Sequence, residues 1–242
     1  MTSLRQRIWG IALLVVCAGL AAPAAGAGAL AVTVGGIKPD GPIPREFAFC
    51  ARAKQGHVTF GGNRNPAISW SGAPAGTKSY AIITVDPDVP SVFTDVNVAG
   101  KVLPATLKRM DFFHWVLVNI PTGTTTVPAG ADSSGITPHG KKAGPTKYGV
   151  RGINDYTEGF AGDPKMAGDY GGYDGPCPPW NDEIVHHYHF VVYALDVATL
   201  DLPGKFAGPE ALKAMAGHIV AQGDVVGLYA TNPDVAAKWG IP

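Results

Sequence analysis

The sequence predicts an all-β protein, mainly antiparallel and built as a β-sandwich, with one helix near the C-terminus. Three observations point there. The 242 residues include 32 glycines and 21 prolines, a density of turn formers that leaves little room for long helices. The apolar runs are short and bounded by proline or turn residues. Helical periodicity is sustained in only one place.

The elements follow in chain order. "HVTF" (57–60) and "AISW" (67–70) read as short strands. "YAIITVD" (80–86) reads as a buried strand closed by Pro87, and "FFHWVLVNI" (112–120) as another closed by Pro121. Residues 121–174 carry little periodicity. They are too long for a plain connection and are expected to hold ordered loops with short strands such as "YGVRGIND" (148–155). "HHYHFVVYALD" (186–196) is a strand ending at a "DLPG" turn. In "GPEALKAMAGHIVAQG" (208–223), Leu212, Met215, Ala216, Ile219 and Val220 follow helical spacing, with Pro209 in the first turn and Gly223 at the end. "DVVGLYA" (224–230) is the last strand, followed by a short tail. Two sheets with Greek-key-like connections and a helix at one end accommodate this order.

A separate segment precedes the fold. Arg5 and Arg7 lead into an apolar run from Ile8 to Leu20, too short to span a bilayer, and "AAPAAGAGA" offers small residues in an A-x-A pattern. A signal peptide over 1–29 is expected, cleaved after Ala27 or Ala29, with a retained anchor as the alternative. The mature chain would be one domain, 30–242, secreted or periplasmic. Val16 before Cys17 does not fit a lipid-attachment pattern. Nineteen basic and nineteen acidic residues cancel, so no long-range field steers nucleic acid. No later apolar run reaches membrane-spanning length. Cys50 and Cys177 remain after cleavage; an oxidising compartment invites a disulfide between them, and two buried thiols are the alternative.

The chemistry-bearing candidates lie at strand ends. In "VDPDVPS" Asp86 and Asp88 stand two apart at the end of a strand, stiffened by Pro87 and Pro90. They are either carboxylates at a pocket rim or turn caps. His114 sits inside a hydrophobic strand, where alternation puts Phe113 and Trp115 on the opposite face. In "HHYHF" the same alternation puts His186, Tyr188 and Phe190 on one face and His187 and His189 on the other. Asp86, Asp88, His114 and His186 include metal-ligand types but lack any tight ligand spacing, so no metal is expected. No G-x-S-x-G elbow is present, and Cys177 near His186 is the one candidate nucleophile.

Four blocks together resemble the phosphatidylethanolamine-binding protein family, in its bacterial Raf-kinase-inhibitor-like branch: 65–91, 112–121, "GINDY" (152–156) and "GYDGPCPPWNDEIVHHYHFVVYALD" (172–196). The resemblance implies a PEBP-like antiparallel sandwich with a C-terminal helical element. It also implies a small preformed cavity for a phosphate or phospholipid headgroup. Residue by residue, it implies Asp86 at the cavity wall, Asp88 supporting its loop, His114 and His186 as pocket histidines and Tyr188 as the pocket tyrosine. Cys177, Pro178 and Pro179 would form the turn at the mouth. No cofactor is implied. Residues 91–111 form a comparatively long insert expected to reshape one side of the cavity. The expected function is non-enzymatic binding of a small anionic ligand. The alternatives are a protein-interaction module acting on a protease or kinase through the 121–174 loops, and a hydrolase using Cys177 with His186.

Overall fold

The structure, a computed structural model, describes residues 28–242. Most of the expected signal peptide lies outside the described residues. The strands are β1 (Gly28–Ala29), β2 (Ala31–Val34), β3 (Gly41–Pro42), β4 (Cys50–Arg52), β5 (Val58–Phe60), β6 (Ile68–Ser71) and β7 (Ser79–Pro90). They continue as β8 (Arg109–Pro121), β9 (Thr126–Val127), β10 (Gly144–Pro145), β11 (Val150–Arg151), β12 (His186–Leu195) and β13 (Ile219–Tyr229). The helices are α1 (Tyr156–Gly159), α2 (Gly208–Met215) and α3 (Pro233–Trp239). β1 spans the two residues that separate the expected cleavage points after Ala27 and Ala29.

The large sheet runs β1-β13-β12-β7-β8-β11-β10, with β3 also on β13. Its long central strands pair antiparallel; β1 and β3 run parallel to β13. A small sheet, β2-β6-β9, packs over one face. Between the two lies the main core, in which Ile68 and Trp70 of the small sheet meet Ile82, Leu117, Phe190 and Val192 of the large one. This period-2 burial is what the alternating runs encode. On the other face Ile83, Val116 and Val118 pack with Phe206, Ala211 and Met215 of the α2 region.

The helix expected over 208–223 ends at Met215. Ala216 is already extended and Gly217 has φ +84, a left-handed turn that glycine adopts without strain. Ile219 and Ala221 then pair with Leu195 and Ala194. Strand pairing with β12 overrides the helical spacing of Ile219 and Val220. The segment read as a short tail forms α3. Asn232 caps it by accepting from the N–H groups of Asp234 and Val235, Pro233 sits in its first turn, and Gly240 closes it.

Cys50 and Cys177 form a disulfide, with their Cα atoms 4.9 Å apart. The Pro176 carbonyl accepts from the N–H groups of Phe49 and Cys50, so the bond and two hydrogen bonds hold the proline turn to β4.

Candidate functional site

Two irregularities in the β7–β8 ladder build the site. Pro87 has no N–H to give the ladder. Pairing jumps from Asp86↔Phe112 to Val89↔Met110, so Pro87 and Asp88 stand opposite the single residue Asp111. Asp86 Oδ1 accepts the Asp88 N–H at 2.8 Å, which is the turn cap, while its Oδ2 faces His186 Nδ1 at 2.7 Å. One carboxylate thus serves both roles that the sequence left open. Pairing also jumps from Thr84↔Trp115 to Val85↔Phe113, leaving His114 without a partner in the ladder. Phe113 packs under α2, as alternation predicts. Trp115 does not lie opposite His114. The bulge turns it into the cluster that holds Tyr188, toward which the His114 ring also points.

The cavity beside these residues has a volume of about 230 Å³, below the roughly 300–1,000 Å³ of drug-sized sites. Asp86, His114 and Tyr188 line it, each nearly fully buried. The walls are apolar and aromatic: Phe112, Tyr156 and Phe160 on one side, Phe93 and Val96 from the 91–111 insert on another. Cys177, Pro178 and Pro179 complete the lining. The insert therefore supplies part of the cavity wall. Gly175, which opens the proline turn, has to be glycine, because a Cβ there would collide with the Phe47 carbonyl oxygen.

His114 is clamped between Phe112, Tyr156 and Tyr188, with ring centroids 5.0, 5.6 and 5.1 Å away. Its Nδ1 lies 2.8 Å from the Asp174 carbonyl oxygen. A carbonyl can only accept, so Nδ1 carries the proton and the neutral ring keeps a lone pair on Nε2. Asp174 is held in turn by Asn63, Lys141 and Asn154, each within 2.8 Å of its carboxylate. Burial pushes the His114 pKa below 6.5, more than Asp86 and the Asp174 carbonyl raise it. The Tyr188 hydroxyl is buried and makes no hydrogen bond of good geometry among the described residues. Burial first, then the nearby Asp86 charge, holds that phenol protonated.

Behind the cavity runs a buried chain of charges. His186 Nδ1 bonds Asp86 at 2.7 Å and its Nε2 lies 3.3 Å from Asp182 Oδ2. Asp182 takes a two-pronged contact from Arg109, at 2.5 and 3.0 Å. Arg109 also donates to the carbonyls of Asp88 and Pro104. Burial alone would depress His186, but carboxylates on both ring nitrogens raise it to about 9. Burial would raise Asp86 and Asp182; His186, with Arg109 for Asp182, outweighs it and holds both below 3.8. The chain alternates in sign from Arg109 to Asp86.

Comparison with known proteins places this architecture. The model of the phosphatidylethanolamine-binding protein family matches residues 35–230. The chain belongs to the phosphatidylethanolamine-binding protein family. A UPF0098 protein of Methanothermobacter thermautotrophicus is 35% identical over 170 residues, 70% of this chain and 84% of the relative. UPF0098 protein YbcL of Escherichia coli is 29% identical over 206 residues, 84% of this chain and 88% of YbcL. The crystal structure of E. coli YbcL, described as a new member of the mammalian PEBP family, superimposes with TM-score 0.60 at 28% identity, covering 83% of this chain and 98% of YbcL.

Within this family fold the residues singled out by sequence separate into two groups. Asp86, His114, Tyr188, Cys177, Pro178 and Pro179 come together in the lining of one cavity. Asp88 and His186 do not line it. Asp88, in β7, turns to His187 instead, accepting from its backbone and ring, and His186 is enclosed behind Asp86 with both ring nitrogens engaged. The hydrolase alternative loses both its groups: Cys177 has no free thiol and His186 no free nitrogen. No group of three or more His, Cys, Asp or Glu side chains among the described residues could hold a metal ion. Sequence reading missed the aromatic clamp of Phe112, Tyr156 and Phe160. It also missed Arg109 and Asp182. Tyr156 closes "GINDY", and its position in that block was the available signal. Arg109 and Asp182 are 73 residues apart and carried none.

Proposed function

We propose that the chain is an exported, non-enzymatic binding protein whose cavity takes a small phosphate-bearing ligand, of the size of a phospholipid headgroup. The observation that carries the reading is the pairing of two polar groups left over inside an otherwise apolar cavity. These are the buried Tyr188 hydroxyl and His114 Nε2. A phosphate oxygen satisfies both, by accepting from the phenol and from a His114 that gains a proton as the anion arrives. Asp86 accepts from a protonated phosphate oxygen or from the amine of a headgroup, and the aromatic walls favour that amine. The disulfide and the proline turn keep the cavity preformed, which limits the entropy lost on binding. The disulfide also supports an oxidising compartment outside the cytoplasm. Among the described residues no helix is long and apolar enough to cross a membrane.

Isothermal titration with inorganic phosphate and with phosphoethanolamine tests the reading, using wild type and His114→Ala. Saturable binding that weakens at least tenfold in the variant is expected. Equal binding by both would sink the cavity assignment, and phosphoethanolamine binding well above phosphate would identify a headgroup. N-terminal sequencing of the protein from cell envelope and medium tests export; a start at Met1 would count against it.

A further inference from the structure

The strand that supplies Tyr188 has a second face, and that face carries two histidines the cavity does not use. His187 and His189 stand two apart on β12, so both project from the same side of the sheet with Cα atoms about 7 Å apart. This is the side whose other end is covered by α2. The end that carries the histidines is open: their side chains are 43% and 33% exposed.

Both rings are oriented in the same manner. His187 Nδ1 lies 2.8 Å from Asp88 Oδ2, and His189 Nδ1 lies 2.7 Å from Asp224 Oδ2. Each Nδ1 therefore carries the proton and donates it to a carboxylate, leaving Nε2 with a free lone pair. The carboxylates lie on opposite sides of β12, Asp88 in β7 and Asp224 in β13. Carboxylate on Nδ1 and metal on Nε2 is the arrangement by which proteins fix the tautomer of a ligating imidazole and raise its basicity.

From these observations we propose that His187 and His189 form a surface site for a divalent transition cation on the sheet face opposite the cavity, with Asp88 and Asp224 as the orienting partners. Two imidazoles supply two ligands and water completes the shell. A third protein ligand is absent among the described residues, so the site is open and exchangeable. Neutral imidazole selects borderline cations over Mg²⁺ or Ca²⁺, and among first-row divalent ions Cu²⁺ ranks highest. The ordinary alternative is a pair of solvated surface His–Asp contacts. His218, oriented by Asp196 in the same way at 2.9 Å but in the turn before β13 with no histidine two residues away, is the internal control for it.

The experiment is a titration of the full chain with Cu²⁺, followed by calorimetry and by electron paramagnetic resonance. The proposal expects one tight equivalent in wild type with two coupled imidazole nitrogens. It expects at least a tenfold loss of affinity in His187→Ala and in His189→Ala, and no change in His218→Ala. Circular dichroism and the melting temperature confirm that each variant is folded. It is overturned if wild type binds Cu²⁺ no more tightly than the His187→Ala/His189→Ala double variant, or if His218→Ala loses as much affinity as either of them.

Discussion

Tyr188→Phe should move stability and binding in opposite directions. The Tyr188 hydroxyl is buried beside Asp86 but makes no hydrogen bond of good geometry among the described residues, while its ring packs 5.1 Å from His114 in the main core. A buried hydroxyl without a partner costs about 1–3 kcal/mol in protein mutational data. Phenylalanine removes the hydroxyl and keeps the ring, so the free protein should gain about 1 kcal/mol. For a domain of this size that raises Tm by about 2–4 °C. A hydrogen bond to a charged phosphate contributes about 1.5–3 kcal/mol. Its loss should weaken phosphate binding by roughly 10–100-fold. Scanning calorimetry and isothermal titration on the same samples read both effects. A lower Tm would mean that the hydroxyl is already paired in the free protein. An unchanged affinity would mean that it never meets the ligand. Most substitutions lose stability, so a simultaneous gain in Tm and loss of affinity is a demanding signature.

Asp182→Asn should lower the pKa of His186 from about 9, read by NMR titration of its ring carbons. His186 is raised on folding above 6.5, so its stabilisation is complete below pH 6.5 and disappears as pH rises through about 9. Wild type should lose on the order of 3 kcal/mol across that window, and the variant less and at lower pH. His114 is shifted the other way, below 6.5, so its ring is neutral near neutral pH and phosphate affinity should rise as pH falls below that value, a dependence that should flatten in His114→Ala. Reducing the Cys50–Cys177 bond, which closes 127 residues of chain, should cost about 3–5 kcal/mol in thermal melts with and without reductant; superimposable melts would contradict it. Asp174→Ala strips the carboxylate from Lys141, Asn63 and Asn154 and should destabilise by about 3 kcal/mol in urea, where no change in midpoint would contradict the hub.

The long central strands were legible because period-2 burial and terminal prolines are local signals. "YAIITVD" and "HHYHFVVYALD" became the β7 and β12 cores almost without shift. The helix over 208–223 failed where a local pattern met a distant partner, since Ile219 fits helical spacing and also pairs with Leu195 of β12, with Ala221 pairing Ala194 beyond it. The tail failed for the opposite reason. Asn232, Pro233 and Gly240 are start and stop signals for a helix, but only seven residues separate the caps and no apolar stripe accompanied them. In the site, residue types were legible and their facing was not. Alternation placed Trp115 opposite His114, and one unpaired residue in the ladder reversed it.

The titratable residues divide as well. The formal charges from Arg109 through Asp182 and His186 to Asp86 alternate and cancel. A site of zero net charge attracts no anion at a distance. Its selectivity has to come from contact: a phenol without a well-aligned partner, an imidazole whose other nitrogen is fixed by a carbonyl, and a carboxylate held ionised by the histidine behind it. Such a cavity rejects simple monoanions that cannot answer all three groups, because each group left unpaired costs desolvation. A ligand carrying both an anionic oxygen and a donor answers them together. Chloride or acetate should therefore compete poorly with phosphate for the cavity even in large excess, and competition by either at equal concentration would show that the carboxylate takes no part in recognition.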